Sequence, residues 1–164
     1  MLVRMKRSVV LVFAFVFALV VGAQQPVSHQ EKLVSHHAEG KFDVKVTPMP
    51  DGGGDGLSRF GMEKQLHGGF EGASKGEMIS GGDYKNGNAG YVAAEVLTGT
   101  LDGKHGSFGL QHMTTMIGGK PDMKIIVIPG SGTGELAGIA GTFTIIIANG
   151  EHSYTLDYTL PADK

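Results

Sequence analysis

The polar residues best suited to bind a ligand or catalyse a reaction lie in strand-like segments, on the same face as apolar neighbours. His112 follows Phe108 and Leu110 at a spacing of two, which places its imidazole on the apolar face of an extended segment. Glu95 lies in the segment 91–101, whose two faces both carry apolar residues, so the sequence leaves open which face points inward. If the Glu95 face points inward, its carboxylate and the His112 imidazole could meet inside the fold.

Three further side chains belong to the same candidate pocket. Tyr154 and Tyr158 share a face of the last apolar segment, and Lys64 lies on the apolar face of the segment 57–67. An interior Lys64 would have to form an ion pair, which Glu95 could supply, or extend its ammonium towards an opening. Such groups around an apolar cavity could bind the polar head of a ligand, or transfer protons if burial shifts their pKa values. The alternative is that all of them are hydrogen-bonded core residues.

Other site chemistries find little support in the residue types. The chain has no Cys, which removes disulfides, thiolate metal sites and thiol nucleophiles. No two of the seven His have the two-residue spacing that would place both imidazoles on one strand face, so we predict no metal site and no cofactor. Ser131 lies in Gly-Ser-Gly rather than in the Gly-x-Ser-x-Gly turn of a hydrolase nucleophile.

The glycine-rich segment 130–138 does not match a phosphate-binding loop. Glu135 follows the glycines, where such a loop has Lys, and the next element is a strand rather than a helix. We therefore predict a structural turn, built by Gly130, Gly132, Gly134 and Gly138.

The elements that must position the candidate residues are β-strands. Phe42, Val44 and Val46 alternate with polar residues, and Asn149-Gly150 is a strong hairpin signal between two apolar runs. No segment has convincing helical periodicity. Because the connections resemble nearest-neighbour hairpins, and closure removes exposed sheet edges, an all-β, eight-stranded antiparallel up-and-down barrel is favoured over a β-sandwich. The predicted strands are about 38–47, 57–67, 70–80, 91–101, 107–116, 123–129, 140–148 and 152–160.

The first 23 residues have the layout of a secretory signal peptide. Three basic residues precede the apolar run 8–21, and cleavage after Ala23 is compatible with the small residues there. The alternative is a transmembrane anchor, which usually needs about 20 apolar residues. We predict an exported protein, periplasmic or secreted, with three parts: a signal peptide at 1–23, a flexible tether at 24–37 and a single β-barrel domain at 38–164.

Cleavage would also change the charge of the chain. The remaining residues include eleven basic and sixteen acidic side chains, a net charge of −5. Such a chain lacks the basic surface that nucleic acids require, and an anionic membrane surface does not attract it. We therefore expect no nucleic-acid partner and no membrane association after cleavage. A homo-oligomer is left open, since Ile145, Ile146 and Ile147 could form an outer apolar face.

Four motifs in a fixed order resemble a known family. They are LTGTLDGKHGSF at 97–108, LQH at 110–112, PGSGTGELAG at 129–138 and GEHSYTLDYTL at 150–160. Together they resemble a bacterial family known as a domain of unknown function, whose folds are similar to the allene oxide cyclase barrel. The resemblance extends over about 38–160. It implies the barrel but no activity, because a shared fold does not imply a shared reaction.

Three functions are compatible with such a barrel. Eight strands enclose an interior wide enough for side chains or for one small ligand, so we favour an exported barrel that binds a small, largely apolar molecule. The analogy with allene oxide cyclase suggests instead a cofactor-free isomerase or cyclase, in which Glu95, Tyr154 or Tyr158 stabilises developing charge. A barrel filled at its centre, acting through its outer surface, is the third. An accessible cavity would favour the first two.

Overall fold

Eight antiparallel strands close a barrel in the computed structural model, which describes residues 32–50 and 54–162. Each strand pairs with the next along the chain, and the last pairs with the first. The predicted all-β, eight-stranded up-and-down barrel is therefore confirmed. The strands are β1 (Leu33–Met49), β2 (Leu57–Gly68), β3 (Phe70–Asp83), β4 (Asn88–Leu101), β5 (Lys104–Ile117), β6 (Lys120–Val127), β7 (Ala140–Ala148) and β8 (Glu151–Pro161).

Side chains alternate between the barrel interior and the outer surface, as the two-residue period of a strand requires. In β4, Ala93, Glu95 and Leu97 are buried, whereas Val92 and Val96 are more than half exposed. The Glu95 face of this strand therefore points inward.

The first strand begins earlier than the sequence suggested. β1 starts at Leu33, so residues 33–37 are strand rather than part of a flexible tether. Their backbone pairs with β8, where His37 lies opposite Asp157, and without this pairing part of β8 would be an open sheet edge. Most of these side chains are exposed and show no apolar alternation, which is why the pattern did not reveal them. Residues 1–31, including the predicted signal peptide, lie outside the described residues.

The segment 81–90, which lies between the predicted strands 70–80 and 91–101, is also mostly strand. β3 extends to Asp83, β4 starts at Asn88, and the 3₁₀ turn Tyr84–Asn86 joins them. This segment is rich in glycine, and the ladder hydrogen bonds come from the backbone, so the pairing needs no apolar side-chain pattern. No helix within the described ranges is long and apolar enough to cross a membrane.

The interior is packed at one end and open at the other. The end with the β2–β3, β4–β5 and β6–β7 connections, here the closed half, includes a segment between β6 and β7 that buries Leu136 and Ile139 in the core. The opposite end, here the open half, carries the other four hairpin connections and contains a cavity. The buried apolar core comprises Ala38, Phe42, Leu66, Phe70, Leu97, Leu101, Phe108, Leu110, Ile125, Val127, Leu136, Ile139, Phe143, Tyr154, Leu156, Tyr158 and Leu160.

Candidate functional site: a polar cluster beneath an apolar pocket

Four polar side chains from four neighbouring strands meet inside the barrel around one carboxylate. Glu95 Oε1 accepts a hydrogen bond from Lys64 Nζ at 2.6 Å and lies 2.9 Å from His112 Nε2, while Ser74 Oγ donates to Oε2 at 2.5 Å. The side chains of Lys64, Glu95 and His112 are at most 5% exposed. We call Lys64, Ser74, Glu95 and His112 the polar cluster. The structure thus brings together three of the five residues predicted for the pocket.

Strand register and one glycine make this meeting possible. Lys64 on β2 lies opposite Ser74 on β3, and Gly76 on β3 lies opposite Glu95 on β4. A Cβ atom at Gly76 would come within 2.4 Å of the Glu95 Cβ and 2.3 Å of the Ala94 carbonyl oxygen. Because Gly76 has no side chain, the Glu95 side chain can extend across β3 and reach the Lys64 ammonium on β2.

The cluster holds Glu95 in its ionised form. Burial alone would raise the pKa of Glu95, but the hydrogen bond with His112, the charge and hydrogen bond of Lys64 and the hydrogen bond from Ser74 outweigh it and lower the pKa from 4.5 to about 2. An ionised carboxylate only accepts hydrogen bonds, so His112 Nε2 carries a proton. The Lys64 ammonium also lies 5.1 Å from the centre of the Phe42 ring, within cation–π range.

A pocket lies above the polar cluster in the open half of the barrel. It has a volume of about 150 Å³, and Lys64 and His112 contribute to its lining. Three of its wall residues are methionines, whose unbranched thioether side chains adapt to ligands of different shape. The apolar wall is formed by Phe42, Val44, Val46, Met62, Met78, Met123, Ile145 and Ile147, with Tyr91 and His152 completing the lining.

The pocket wall and the polar cluster include residues that the sequence pattern assigned elsewhere or missed. Ile145 and Ile147 line the pocket, so only Ile146 of this run belongs to the outer surface. The prediction that Ile145, Ile146 and Ile147 form one outer apolar face is therefore wrong. Ser74 was missed because the inner face of β3 is interrupted by glycines, although its spacing of four from Phe70 predicts the same face.

The two predicted tyrosines do not join the polar cluster. The Tyr154 hydroxyl accepts a hydrogen bond from the Phe70 backbone N–H at 2.8 Å, and its ring stacks on Phe143. The Tyr158 hydroxyl donates to Asp102 Oδ2 at 2.8 Å; burial and this carboxylate raise the pKa of Tyr158. Both hydroxyls form hydrogen bonds in the closed half. The two tyrosines share a face of β8, but they do not belong to the same site as Glu95 and His112.

The glycine-rich connection between β6 and β7 is held by hydrogen bonds within the connection and to β5. Ser131 Oγ donates to the Ile128 carbonyl at 2.6 Å and accepts from the Gly109 N–H at 2.9 Å. A Cβ at Gly132 would lie 2.1 Å from the Leu136 carbonyl oxygen. Positive φ angles occur in this connection at Gly130, Gly134 and Gly138.

The described part of the chain contains no cluster of the usual metal-ligating side chains. Among residues 32–50 and 54–162, no three His, Asp or Glu side chains are placed to hold one ion. The chemistry available in the pocket is that of an ammonium and an imidazole at the base of an apolar wall.

The fold and the pocket define a closed antiparallel β-barrel with an open, mostly apolar cavity next to a buried polar cluster. The chain belongs to the family described as protein of unknown function DUF3224, whose sequence profile matches residues 38–158. A crystal structure of a protein of unknown function from this family, from Shewanella oneidensis MR-1, is similar to it, with 42% identity and a TM-score of 0.71. The match covers 79% of this chain and all of that one. No curated protein matches the chain significantly.

Proposed function

We propose that this protein is exported and binds a small, largely apolar molecule in the pocket of the open half. The observation that carries the proposal is the cavity of about 150 Å³, whose mostly apolar wall includes a few polar residues: Lys64, His112, Tyr91 and His152. Small-molecule sites are concave, mostly apolar and supplied with a few placed polar groups, which is the composition found here.

The buried ion pair at the pocket gives this proposal further support. Removing an ammonium and a carboxylate from water costs several kcal/mol per ion, and well-packed apolar residues often stabilise a core as well or better. Lys64 and Glu95 nevertheless lie 2.6 Å apart, with side chains 5% and 0% exposed. A role in recognising a ligand accounts for a buried ion pair where packed apolar residues could stabilise the core equally well.

Export rests on the N-terminal sequence. The basic residues, the apolar run 8–21 and the cleavage-compatible Ala23 form the three regions of a secretory signal peptide. On this proposal the working protein begins near Gln24 and acts in the periplasm or the medium.

A cofactor-free isomerase or cyclase, suggested by the resemblance to the allene oxide cyclase barrel, is the second candidate. Lys64 and His112 could donate to a negative charge that develops on a bound substrate. However, a pKa of about 2 makes Glu95 a weak base, and the hydroxyls of Tyr154 and Tyr158 are already engaged in the closed half. Binding without chemistry therefore has the stronger support.

Native mass spectrometry of the protein, produced from its full gene in its own host, tests both parts of the proposal. The denatured mass should correspond to a chain that has lost residues 1–23, and the native mass should include a small molecule that denaturation releases. A full-length denatured chain would contradict cleavage and would count against export.

Two neighbouring substitutions on β3 provide the matched comparison. Met78 lines the pocket and Ile79 points outward, so Met78→Trp should abolish the bound mass and Ile79→Trp should preserve it. An equal bound mass in both variants would place the ligand outside the pocket. If the native wild-type protein carries no small molecule, titration with small apolar compounds decides the question, and a failure of all of them would refute binding.

A further inference from the structure

The polar cluster also constrains the chemical class of the ligand. Resting on the proposed function, we infer that the pocket recognises a ring-sized apolar molecule with one uncharged oxygen group, a carbonyl or a hydroxyl, and discriminates against the corresponding carboxylate. Size, hydrogen-bonding capacity and charge balance each contribute to this inference.

The volume sets the size of the recognised part. An apolar cavity of about 150 Å³ accommodates a molecule such as benzene. The present pocket has this volume, with flexible Met62, Met78 and Met123 in its wall. A single six-membered ring therefore fits within the pocket, and longer substituents would extend through the open half.

Lys64 supplies the hydrogen-bond donor for the oxygen group. An ammonium has three N–H donors, and the structure gives Lys64 Nζ a hydrogen bond to Glu95 and a contact with the Phe42 ring. Lys64 also lines the pocket, so a remaining donor is available to an acceptor on a ligand. A saturated hydrocarbon would leave this donor without a partner in an apolar surrounding, which costs free energy.

Charge balance explains why the oxygen group should be uncharged. The Lys64 ammonium and the ionised Glu95 carboxylate together have no net charge. A carboxylate ligand on Lys64 would place a second anion beside Glu95 in a mostly apolar cavity, where like charges repel and an unbalanced charge is poorly solvated. A carbonyl or hydroxyl uses the same donor without adding charge.

Three molecules of nearly equal size separate the possibilities: acetophenone, benzoate and ethylbenzene. The intact protein, labelled with ¹³C at its methionine methyl groups, is titrated with each at pH 7.5 and followed by NMR. We expect shifts at Met62, Met78 and Met123, with acetophenone binding at least tenfold more tightly than benzoate or ethylbenzene.

Paired variants test the role of the cluster. Lys64→Met combined with Glu95→Gln removes both buried charges together and should reduce the preference for acetophenone over ethylbenzene to twofold or less. The control, Lys75→Met combined with Glu63→Gln, removes an exposed ion pair between β2 and β3 and should leave the preference unchanged. If the cluster double variant fails to fold by circular dichroism, the ranking of the three probes in the wild-type protein still decides.

The outcomes distinguish this inference from the proposed function. Tightest binding of benzoate, or equal binding of all three, would overturn the ligand class while leaving an apolar pocket that binds. Absence of shifts at the three pocket methionines with every probe would overturn both. An unchanged preference in a folded cluster variant would remove Lys64 and Glu95 from recognition.

Discussion

Replacing Glu95 by Gln should destabilise the protein in a pH-dependent way that can be worked out from the polar cluster. The surrounding donors lower the pKa of Glu95 from 4.5 to about 2. A group whose pKa is lower in the folded state stabilises the fold fully above its unfolded pKa and loses this contribution as the pH falls through the folded value. At about 1.4 kcal/mol per pKa unit, the ionised carboxylate contributes about 3 kcal/mol at pH 7.

The same linkage fixes how the effect should change with pH. Gln represents the uncharged side chain, so the difference in unfolding free energy between wild type and Glu95→Gln should be about 3 kcal/mol at pH 7 and about 1 kcal/mol at pH 3. Urea denaturation at pH 7, 5, 4 and 3 measures both curves. Glu63→Gln, at an exposed ion pair with Lys75, serves as the control and should track the wild type.

A difference that stays constant from pH 7 to pH 3 would refute this reasoning. It would mean that the variant loses packing or hydrogen-bond geometry rather than the free energy of ionisation. A variant as stable as the wild type at pH 7 would likewise show that the donors around Glu95 do no more than offset the cost of its burial.

Three further predictions concern the closed half, each measured by urea denaturation at pH 7. Leu136→Ala should cost about 2–5 kcal/mol, because the side chain is fully buried where the β6–β7 connection enters the core. Tyr154→Phe should cost about 1–3 kcal/mol, because it leaves the buried Phe70 N–H without its partner. Gly132→Ala should cost about 1–3 kcal/mol or prevent folding, whereas Gly61→Ala should be tolerated, since its Cβ meets nothing closer than 4.0 Å.

Each of these has a result that would contradict it. A loss below 1 kcal/mol for Leu136→Ala would mean that the connection does not seal the barrel end. An unchanged stability of Tyr154→Phe would show that the Phe70 N–H finds another acceptor. Equal behaviour of the two glycine variants would exclude the close backbone approach at Gly132 as the reason for glycine there.

The sequence predicted the strands best where apolar side chains alternate. β7 has the predicted limits, 140–148; β2 is longer than predicted by one residue at its C-terminal end, and β8 by one residue at each end. It failed at residues 33–37 and 81–90, where the strands are exposed or rich in glycine. In those segments the backbone hydrogen bonds hold the sheet, and backbone groups are the same for nearly every residue type.

The candidate site was predictable only as a set of alternatives. Parity placed His112, Lys64 and one face of β4 near the interior, and an ion pair between Lys64 and Glu95 was one of two options for a buried lysine. Nothing in the local pattern separated Tyr154 and Tyr158 from this group, although the structure places their hydroxyls in the closed half.

The sequence by itself determined the order of the strands, their alternating faces and the hairpins that connect them, because each of these depends on residues close together in the chain. The tertiary structure decided which face of β4 points inward, that Gly76 leaves room for Glu95 to reach Lys64, and which end of the barrel stays open. These features depend on register and on the volumes of side chains from distant segments. A strand period of two constrains neither of them.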